Sequence, residues 1–546
     1  MPPAPPLRPI QDVAADLGFD AAHVTPYGAH RAKISLDALP ASPSHPGTTA
    51  SRAEHVLVTA VTPTKSGEGK TVTSIGLAMG LARLGARAVV TLRQSSLGPT
   101  FGGKGGGAGG GAATLVPLEE TILGLADDLF AVETANNLLA SVVDDYVFRG
   151  AAPKIAPDAV TWRRVLDVND RSLRHVTTRL DGRADGPTRE SAFDITPASE
   201  VMAILMLSRD RADLRRRLGN IVVGFTADGA PLTAESMQVA GAMAALLQRA
   251  FSPNLVQTSE GTPAIVHTGP FANIAPGNSS VVGDLVASTR ADYVITEAGF
   301  ATELGAEKYF HLKLPATGLQ PSAAVLVATV RAAREHDPSG ATLDPGLANL
   351  RAHVANLRAF GVPVVVAVNR FPDDAPDDLK ALREAAMAAG AADCVEHTAF
   401  ADGGRGCEAL AAAVKRACRG PAAITPLVDA SMSPETQVES LATTLYGAAR
   451  VEWSESARLS LARFRAAGFT ALPVCMAKTN RSLSHDAKLL GAPKGFTFPV
   501  RDVRLAAGAG YFTVLAGDIM TMPGLPRTAR YRHIDVDPDG TIRGLA

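Results

Sequence analysis

The chain has 546 residues, a formal net charge of −1 and 46% hydrophobic residues; it is long enough for roughly two to four domains with sizeable cores, and it carries no global charge bias toward nucleic acid or an anionic membrane. Aromatics make up 5% while glycine reaches 50 residues, which suits closely packed α/β layers better than a β-sandwich. Its cysteines (Cys394, Cys407, Cys418, Cys475) form no Cys-x-x-Cys pair, the N-terminus lacks the basic start and apolar stretch of a signal peptide, and no run of about 18 apolar residues occurs, so the expectation is a cytoplasmic protein with reduced thiols, no structural zinc and no membrane span.

Residues 1–52 read as a Pro-rich tail, one short helix and an extended lead-in. Residues 55–61 (His-Val-Leu-Val-Thr-Ala-Val) form an apolar, β-branched run, the pattern of a buried strand. Thr62-Pro63-Thr64-Lys65-Ser66-Gly67-Glu68-Gly69-Lys70-Thr71 follows, and 72–84 has helical spacing. Strand, glycine-containing turn, Gly-Lys-Thr and helix is the P-loop arrangement. Backbone N–H groups and the helix N-terminus point at phosphate oxygens, Lys70 neutralises the terminal phosphates and Thr71 can hold Mg²⁺. Thr64 stands where that pattern usually begins with glycine. The candidate nucleotide-binding residues are Thr62, Thr64, Ser66, Gly67, Glu68, Gly69, Lys70, Thr71 and Thr73.

Residues 88–92 read as the next parallel strand, and it delivers Arg93 to the strand C-termini, where ligands of open α/β sheets bind. Arg93 there is either a second cation for a phosphate or carboxylate or a solvated loop charge. The glycine run 101–111 surrounds Lys104 and is too costly in entropy for an ordinary strand or helix; it is pressed backbone-first against a ligand or another segment, or it is a linker.

Residues 118–147 are helical, with Asn136 and Asn137 mid-helix, where Asn persists if its side chain is used. Strands are expected at 165–168, 221–224, 254–257, 264–267 and 293–296, and 194–200 caps a helix over 201–207. His267 and Glu297 sit at strand ends, as network residues or catalysts. The strand 323–329 closes the large sheet, and 334–347 is an exposed connection. Beyond it, strands at 362–368 and 394–397 end near Phe371 and Phe400, aromatics that serve packing or stacking. A third region begins near Thr443. The fold class is therefore α/β: a P-loop NTPase-like parallel sheet in a large domain (1–345), with smaller α/β domains at 346–442 and 443–546.

Long stretches then match one family. They are Thr-Pro-Thr-x-x-Gly-Glu-Gly-Lys-Thr at 62–71, Ser-Leu-Gly-Pro at 96–99, Val-Leu-Asp-Val-Asn-Asp-Arg at 165–171, Phe-Asp-Ile-Thr at 193–196, Gly-Pro-Phe-Ala-Asn-Ile-Ala at 269–275, Thr-Glu-Ala-Gly-Phe at 296–300, Val-Arg-Asp-Val-Arg-Leu at 500–505 and Gly-Asp-Ile-Met-Thr-Met-Pro-Gly-Leu-Pro at 517–526. Over nearly its whole length the chain resembles formate–tetrahydrofolate ligase. The resemblance implies ligation of formate to tetrahydrofolate with ATP through formyl phosphate. It implies that Lys70 supports transfer, that Arg93 holds formate and the formyl phosphate oxygens, and that Phe371 and Phe400 clamp the pterin from the 346–442 side. A homotetramer and activation by a monovalent cation are implied as well, with no nucleic-acid or membrane partner. The sequence departs from the family pattern at Gln94 and Ser95, at Ala112, Ala113 and Thr114, at Gly124 and Phe130, and at Pro276. Polar groups are lost there while Lys104, Asp128, Asn136 and Asn137 stay. A pocket altered in this way would suit a different carboxylate or amine acceptor, or a weakened regulatory homologue, as alternatives to the family reaction.

Overall fold

A computed structural model describes residues 7–39, 53–65, 67–103, 107–180, 186–517 and 519–545. Its main sheet grows from runs of Val, Ile, Leu and Ala that are buried on both faces, the signature of strands covered by helices. The strands pair in the order Pro263–Val266, Ala88–Leu92, Tyr293–Glu297, Glu54–Ala60, Pro321–Ala328, Val364–Asn369 and Asp393–His397, all parallel. Asn254–Thr258 joins the first of these antiparallel, and the hairpin Val24–Pro26/Ala32–Ile34 continues that edge of the 12-stranded sheet.

Four strand expectations need correction. Pro321–Ala328 does not close the sheet. It pairs on its far side with Val364–Asn369, because helix Asp344–Ala359 makes a crossover long enough to return the chain in parallel. Asn254–Thr258 cannot be parallel to its neighbour, since only Ser259–Thr262 separates the two and a tight connection makes a hairpin. The runs at 165–168 and 221–224 are outside the main sheet: Arg164–Leu166 pairs with Phe193–Ile195, and Val222–Phe225 with Pro231–Thr233, each in a separate ribbon.

Alternate residues of the central strands enter different cores. Val56, Val58 and Ala60 pack with Ile75, Leu77 and Val414, from helices Lys70–Arg83 and Glu408–Ala417. Leu57, Ala324 and Leu326 pack with Leu350, Val354 and Leu357 of helix Asp344–Ala359. Gly76 and Gly80 let the first helix press onto the chain around Ala399–Cys407. A Cβ on Gly76 would lie 2.6 Å from that of Ala399, and one on Gly80 2.9 Å from the Cys407 carbonyl oxygen. That close approach seats the loop bearing Phe400 beside the helix that opens at Lys70. Among the described residues no helix is long and apolar enough to cross a membrane.

The polar residues kept at 128, 136 and 137 hold the fold together. The Lys33 ammonium lies 2.7 Å from both Asp128 oxygens, and Asn254 Nδ2 donates to the same carboxylate at 2.7 Å. Asn136 and Asn137 donate to the carbonyls of Arg163 and Val165, tying the long helix Ala126–Arg149 to strand Arg164–Leu166. Lys33→Met should therefore cost about 3–5 kcal/mol by stranding the buried Asp128 carboxylate. Lys33→Met/Asp128→Leu should recover most of that loss in urea unfolding, and equal instability of the two variants would argue against the ion pair as the cause.

Buried histidines give the fold a pH dependence. Burial pushes His55, His336, His353 and His397 down to about 4 and His267 to about 3. These groups are neutral when folded, whereas the unfolded chain protonates them near pH 6.5, so the stability they contribute is lost as pH falls from about 6.5 toward 4. Burial raises Asp167 to about 6 and Glu200 to about 7. Those two act in the opposite sense, since their contribution is lost as pH rises through those values. The histidines outnumber them, so the urea midpoint should drop on acidification from pH 6.5 to 4.5; a flat or rising midpoint would contradict the neutral assignment.

Candidate functional site: a glycine-bearing loop facing a guanidinium

Strand Glu54–Ala60 delivers the chain to a loop closed by its own acid. Glu68 is buried, and its carboxylate accepts from the Thr64 N–H and the Thr329 hydroxyl, each at 2.7 Å. Gly67 and Gly69 have φ of 78° and 77°, a conformation that disfavours side chains. A Cβ on Gly69 would also collide with the Asn369 amide, which donates to the Glu68 carbonyl at 3.2 Å. Helix Lys70–Arg83 then starts with its first N–H groups at the strand C-termini. Glu68→Ala should lower stability by about 1–3 kcal/mol, through the unsatisfied Thr64 N–H, and weaken ATP binding. Unchanged ATP affinity in equilibrium titration would show that the brace does not shape the loop.

The threonines of the motif divide between two settings. Thr62 is buried; its N–H donates to His353 Nε2 at 2.9 Å and its hydroxyl accepts from Asn349 at 2.9 Å. Thr73 donates to the Gly69 carbonyl at 2.9 Å and lies 3.1 Å from His397 Nε2. Thr64 and Thr71 are partly exposed, as is Lys70. The Lys70 ammonium makes no hydrogen bond with the described residues. Burial lowers its pKa below the usual lysine range, while Glu297 opposes that shift and Arg93 reinforces it. Ser66 and Lys104 lie outside the described residues.

Sheet order brings Arg93 to this loop. Tyr293–Glu297 lies between Ala88–Leu92 and Glu54–Ala60, so the terminal Glu297 stands between Arg93 and the loop. The buried Glu297 carboxylate accepts from Thr71 Oγ1 at 2.7 Å and from Arg93 Nη2 at 3.3 Å. Arg93 Nη1 donates to the Pro270 carbonyl at 3.2 Å, while its buried Nε has no partner among the described residues. Gly299 makes room for the guanidinium, since a Cβ there would lie 2.8 Å from Arg93 Nη1. Glu297 is absent from the nucleotide-binding set read from the motif; its one signal in the sequence is an acid at a strand end. His267, the other rim residue, is buried and satisfied by Ser280 at 2.6 Å and the Ala250 carbonyl at 2.7 Å, as a network residue is.

The aromatics rise from the same rim. Val364–Asn369 and Asp393–His397 are adjacent, with Asn369 opposite His397, and lead into Phe371 and Phe400. The Arg331 guanidinium lies 3.8 Å from the Phe371 ring centroid, and Phe400 is 58% exposed, as an aromatic left free to stack would be. The described end of the glycine run is pressed against protein. Gly109 and Gly111 have positive φ, and a Cβ on Gly111 would strike the Phe400 carbonyl. The Ala112 N–H donates to that carbonyl at 2.8 Å, which fastens the glycine run to the loop carrying the exposed ring.

The departures from the family pattern have internal explanations at several positions. Gln94 is buried and its amide donates to the Leu125 carbonyl. A Cβ on Gly124 would meet the Arg31 guanidinium and, at 2.7 Å, the Glu120 carbonyl oxygen. Phe130 is exposed, and Asp128 is engaged by Lys33. The Pro276 carbonyl accepts from Asn278 at 2.7 Å. The expectation that the departures together enlarge one pocket is therefore not met at 124, where the Arg31 guanidinium takes up the space, and Asp128, which is kept, has its charge engaged by Lys33.

The chain is an α/β protein with a glycine-shaped turn at a helix N-terminus and with an ammonium and a guanidinium at the C-terminal rim of its parallel sheet, groups of the kind that can receive anions. The family profile described as formate–tetrahydrofolate ligase matches residues 4–546. Curated formate–tetrahydrofolate ligases similar to the chain include one from Roseiflexus sp. (strain RS-1), 52% identical over 99% of this chain and 98% of that protein. Another, from Saccharopolyspora erythraea, is 47% identical with the same coverage, and one from Paracoccus denitrificans is 48% identical over 98% of this chain and 97% of that protein. The chain belongs to the formate–tetrahydrofolate ligase family.

Proposed function

We propose that this protein joins formate to tetrahydrofolate with ATP, giving 10-formyltetrahydrofolate, ADP and phosphate. The observation that carries this reading is the full-length identity of about one half to ligases of that name, and the convergence of Lys70, Thr71, Arg93 and Glu297 supplies its chemistry. A carboxylate is a poor acyl donor because oxide is a poor leaving group, and phosphorylation to formyl phosphate provides a better one. The 54–83 strand–loop–helix is read as the P-loop NTPase-like unit, in which Gly67, Gly69 and the helix N-terminus orient the phosphates and Lys70 neutralises charge on the group in transfer. Arg93 faces the carboxylate side and steadies formate and the acyl phosphate oxygens.

Thr71 and Glu297 offer the hard oxygen donors that Mg²⁺ takes, and the ion would spread charge on the nucleotide phosphates. Their 2.7 Å hydrogen bond puts both oxygens on one side of the cradle. Phe371 and Phe400 are read as the pterin clamp. A homotetramer and activation by a monovalent cation complete the reading on the strength of the resemblance, and a cytoplasmic location on that of the cysteine and hydropathy pattern; of the domain boundaries read from the sequence, the one near 442 is kept, since the strands at 364–369 and 393–397 continue the sheet of residues 1–345. The full-length identity to ligases of this name favours formate over an altered substrate.

The test is direct. Purified protein with MgATP, formate and tetrahydrofolate should release ADP and 10-formyltetrahydrofolate in equal amounts, both dependent on formate. ADP release that needs another carboxylate, or ATP binding without turnover, would overturn the assignment.

A further inference from the structure

Several stretches that carry the family resemblance supply no group to the contacts among Lys70, Thr71, Arg93 and Glu297. Parts of 165–171, 193–196, 500–505 and 519–526 line a separate cavity of about 660 Å³ instead, within the size range of small-molecule sites. Its walls come from the N-terminal region and from the ribbon containing Asp502–Ala506.

The charges around this cavity do not balance internally. Arg163 is paired with Asp194 at 3.1 Å and Arg189 with Asp144 at 2.9 Å. Three other guanidiniums lack a carboxylate within ion-pair distance among the described residues. Arg174 donates to the Met522 carbonyl at 2.9 Å. Arg463 is exposed at the cavity mouth and lies against the rings of Phe225 and Phe464, 5.0 and 5.5 Å from their centroids. The guanidinium of Arg504, a residue only partly exposed, makes no hydrogen bond or ion pair with the described residues. Asp502 is the nearby acid without a cation partner, accepting instead from Ser460 at 3.1 Å. Glu200 accepts two backbone N–H groups and is pushed up to about 7 by burial, and Glu190 is exposed and bonded to Thr177. Arg504 is also destabilised as a cation by burial and by Arg163, with Asp194 and Asp502 opposing that shift. For the partly withdrawn guanidiniums of Arg504 and Arg174, lack of a counter-charge is unfavourable unless a ligand supplies one, and the exposed Arg463 adds its charge at the mouth.

We propose that this cavity is a second ligand site, which takes a small organic dianion bearing carboxylate or phosphate groups on Arg504, Arg174 and Arg463. Two negative charges match three unpaired guanidiniums offset by Asp502. The apolar walls at Phe193 and Phe464 suit a short carbon skeleton between the acid groups.

Succinate and glycerol 3-phosphate are suitable probes, with acetate as the monoanion control. The Lys70→Ala variant separates this site from the phosphate cradle. Calorimetric titration should show saturable binding of at least one dianion to the full chain, with the same affinity in Lys70→Ala. Arg504→Gln should weaken it about tenfold or more, as loss of a charge-assisted contact does, while leaving formate-dependent ADP formation unchanged. Arg463→Gln serves as the second variant if Arg504→Gln does not fold. Preferential succinate binding would identify a dicarboxylate site, and preferential glycerol 3-phosphate binding a phosphate site. The proposal is overturned if neither dianion binds at millimolar concentration, if acetate binds as well as they do, or if both arginine variants bind like the parent protein.

Discussion

Lys70→Ala should lower the rate of formate-dependent ADP formation by a factor on the order of 10²–10³ or more, the range seen when one preorganised charge-stabilising donor is removed. The ammonium stands at the mouth of helix Lys70–Arg83, partly withdrawn from water and without a hydrogen bond to the described residues. It is therefore ready for a ligand oxygen and does little to hold the fold. The thermal midpoint of Lys70→Ala should accordingly stay within a few degrees of the parent value, while turnover falls. Loss of turnover with a large loss of stability would mean that the lysine serves the fold, and unchanged turnover would remove it from the phosphate cradle. Lys70→Arg tests geometry as well as charge, since a planar fork does not reproduce a compact ammonium.

The second large effect is expected at Arg93. Arg93→Ala should reduce kcat/KM for formate by a factor on the order of 10² or more, because the contact it removes is a charge-assisted one to the carboxylate and its phosphorylated form. It should also destabilise the protein, since Glu297 is buried and shares its carboxylate between Arg93 and Thr71. Removing one partner of such a pair costs about 3–5 kcal/mol. The double variant Arg93→Ala/Glu297→Gln, compared for activity with Glu297→Gln alone, separates these effects. Urea unfolding should show stability largely recovered, while kcat/KM for formate stays low. Recovery of activity along with stability would show that Arg93 acts only as the counter-ion of Glu297. The single variant Glu297→Gln should weaken the Mg²⁺ dependence of ATP binding if Thr71 and Glu297 hold the metal, a readout that needs no turnover.

The sequence was most informative where chemistry is local. A β-branched run, two glycines and Gly-Lys-Thr over 55–71 describe a strand, a turn with positive φ and a helix N-terminus, and each depends on neighbours within a few residues. Asn136 and Asn137 likewise announce used side chains, because Asn is poor inside a helix. Their partners in strand Arg164–Leu166 come from another part of the chain. The long motif matches also made the family legible before any coordinate, because they run through loops as well as core strands.

Strand order was not legible in this way. Apolar runs that are buried on both faces look alike wherever they sit in a sheet, so 323–329 reads as an edge although it pairs on both sides. The same ambiguity left Glu297 undecided between network residue and catalyst. An acid at a strand end has no distinctive local pattern, and its position between Arg93 and Thr71 follows from Tyr293–Glu297 being inserted between strands far from it in the chain. The altered residues show the converse. Gly124 reads as a lost side chain until Arg31 is found in its space, and Asp128 reads as a pocket acid until Lys33 is found against it.

The sequence by itself thus determined the glycine-bearing turn and helix start around Lys70 and the family, because both are encoded in contiguous residues, the turn through short-range sterics and hydrogen bonding. The tertiary structure decided which distant groups meet that loop, through strand pairing and side-chain packing whose energies depend on the whole sheet rather than on any one segment.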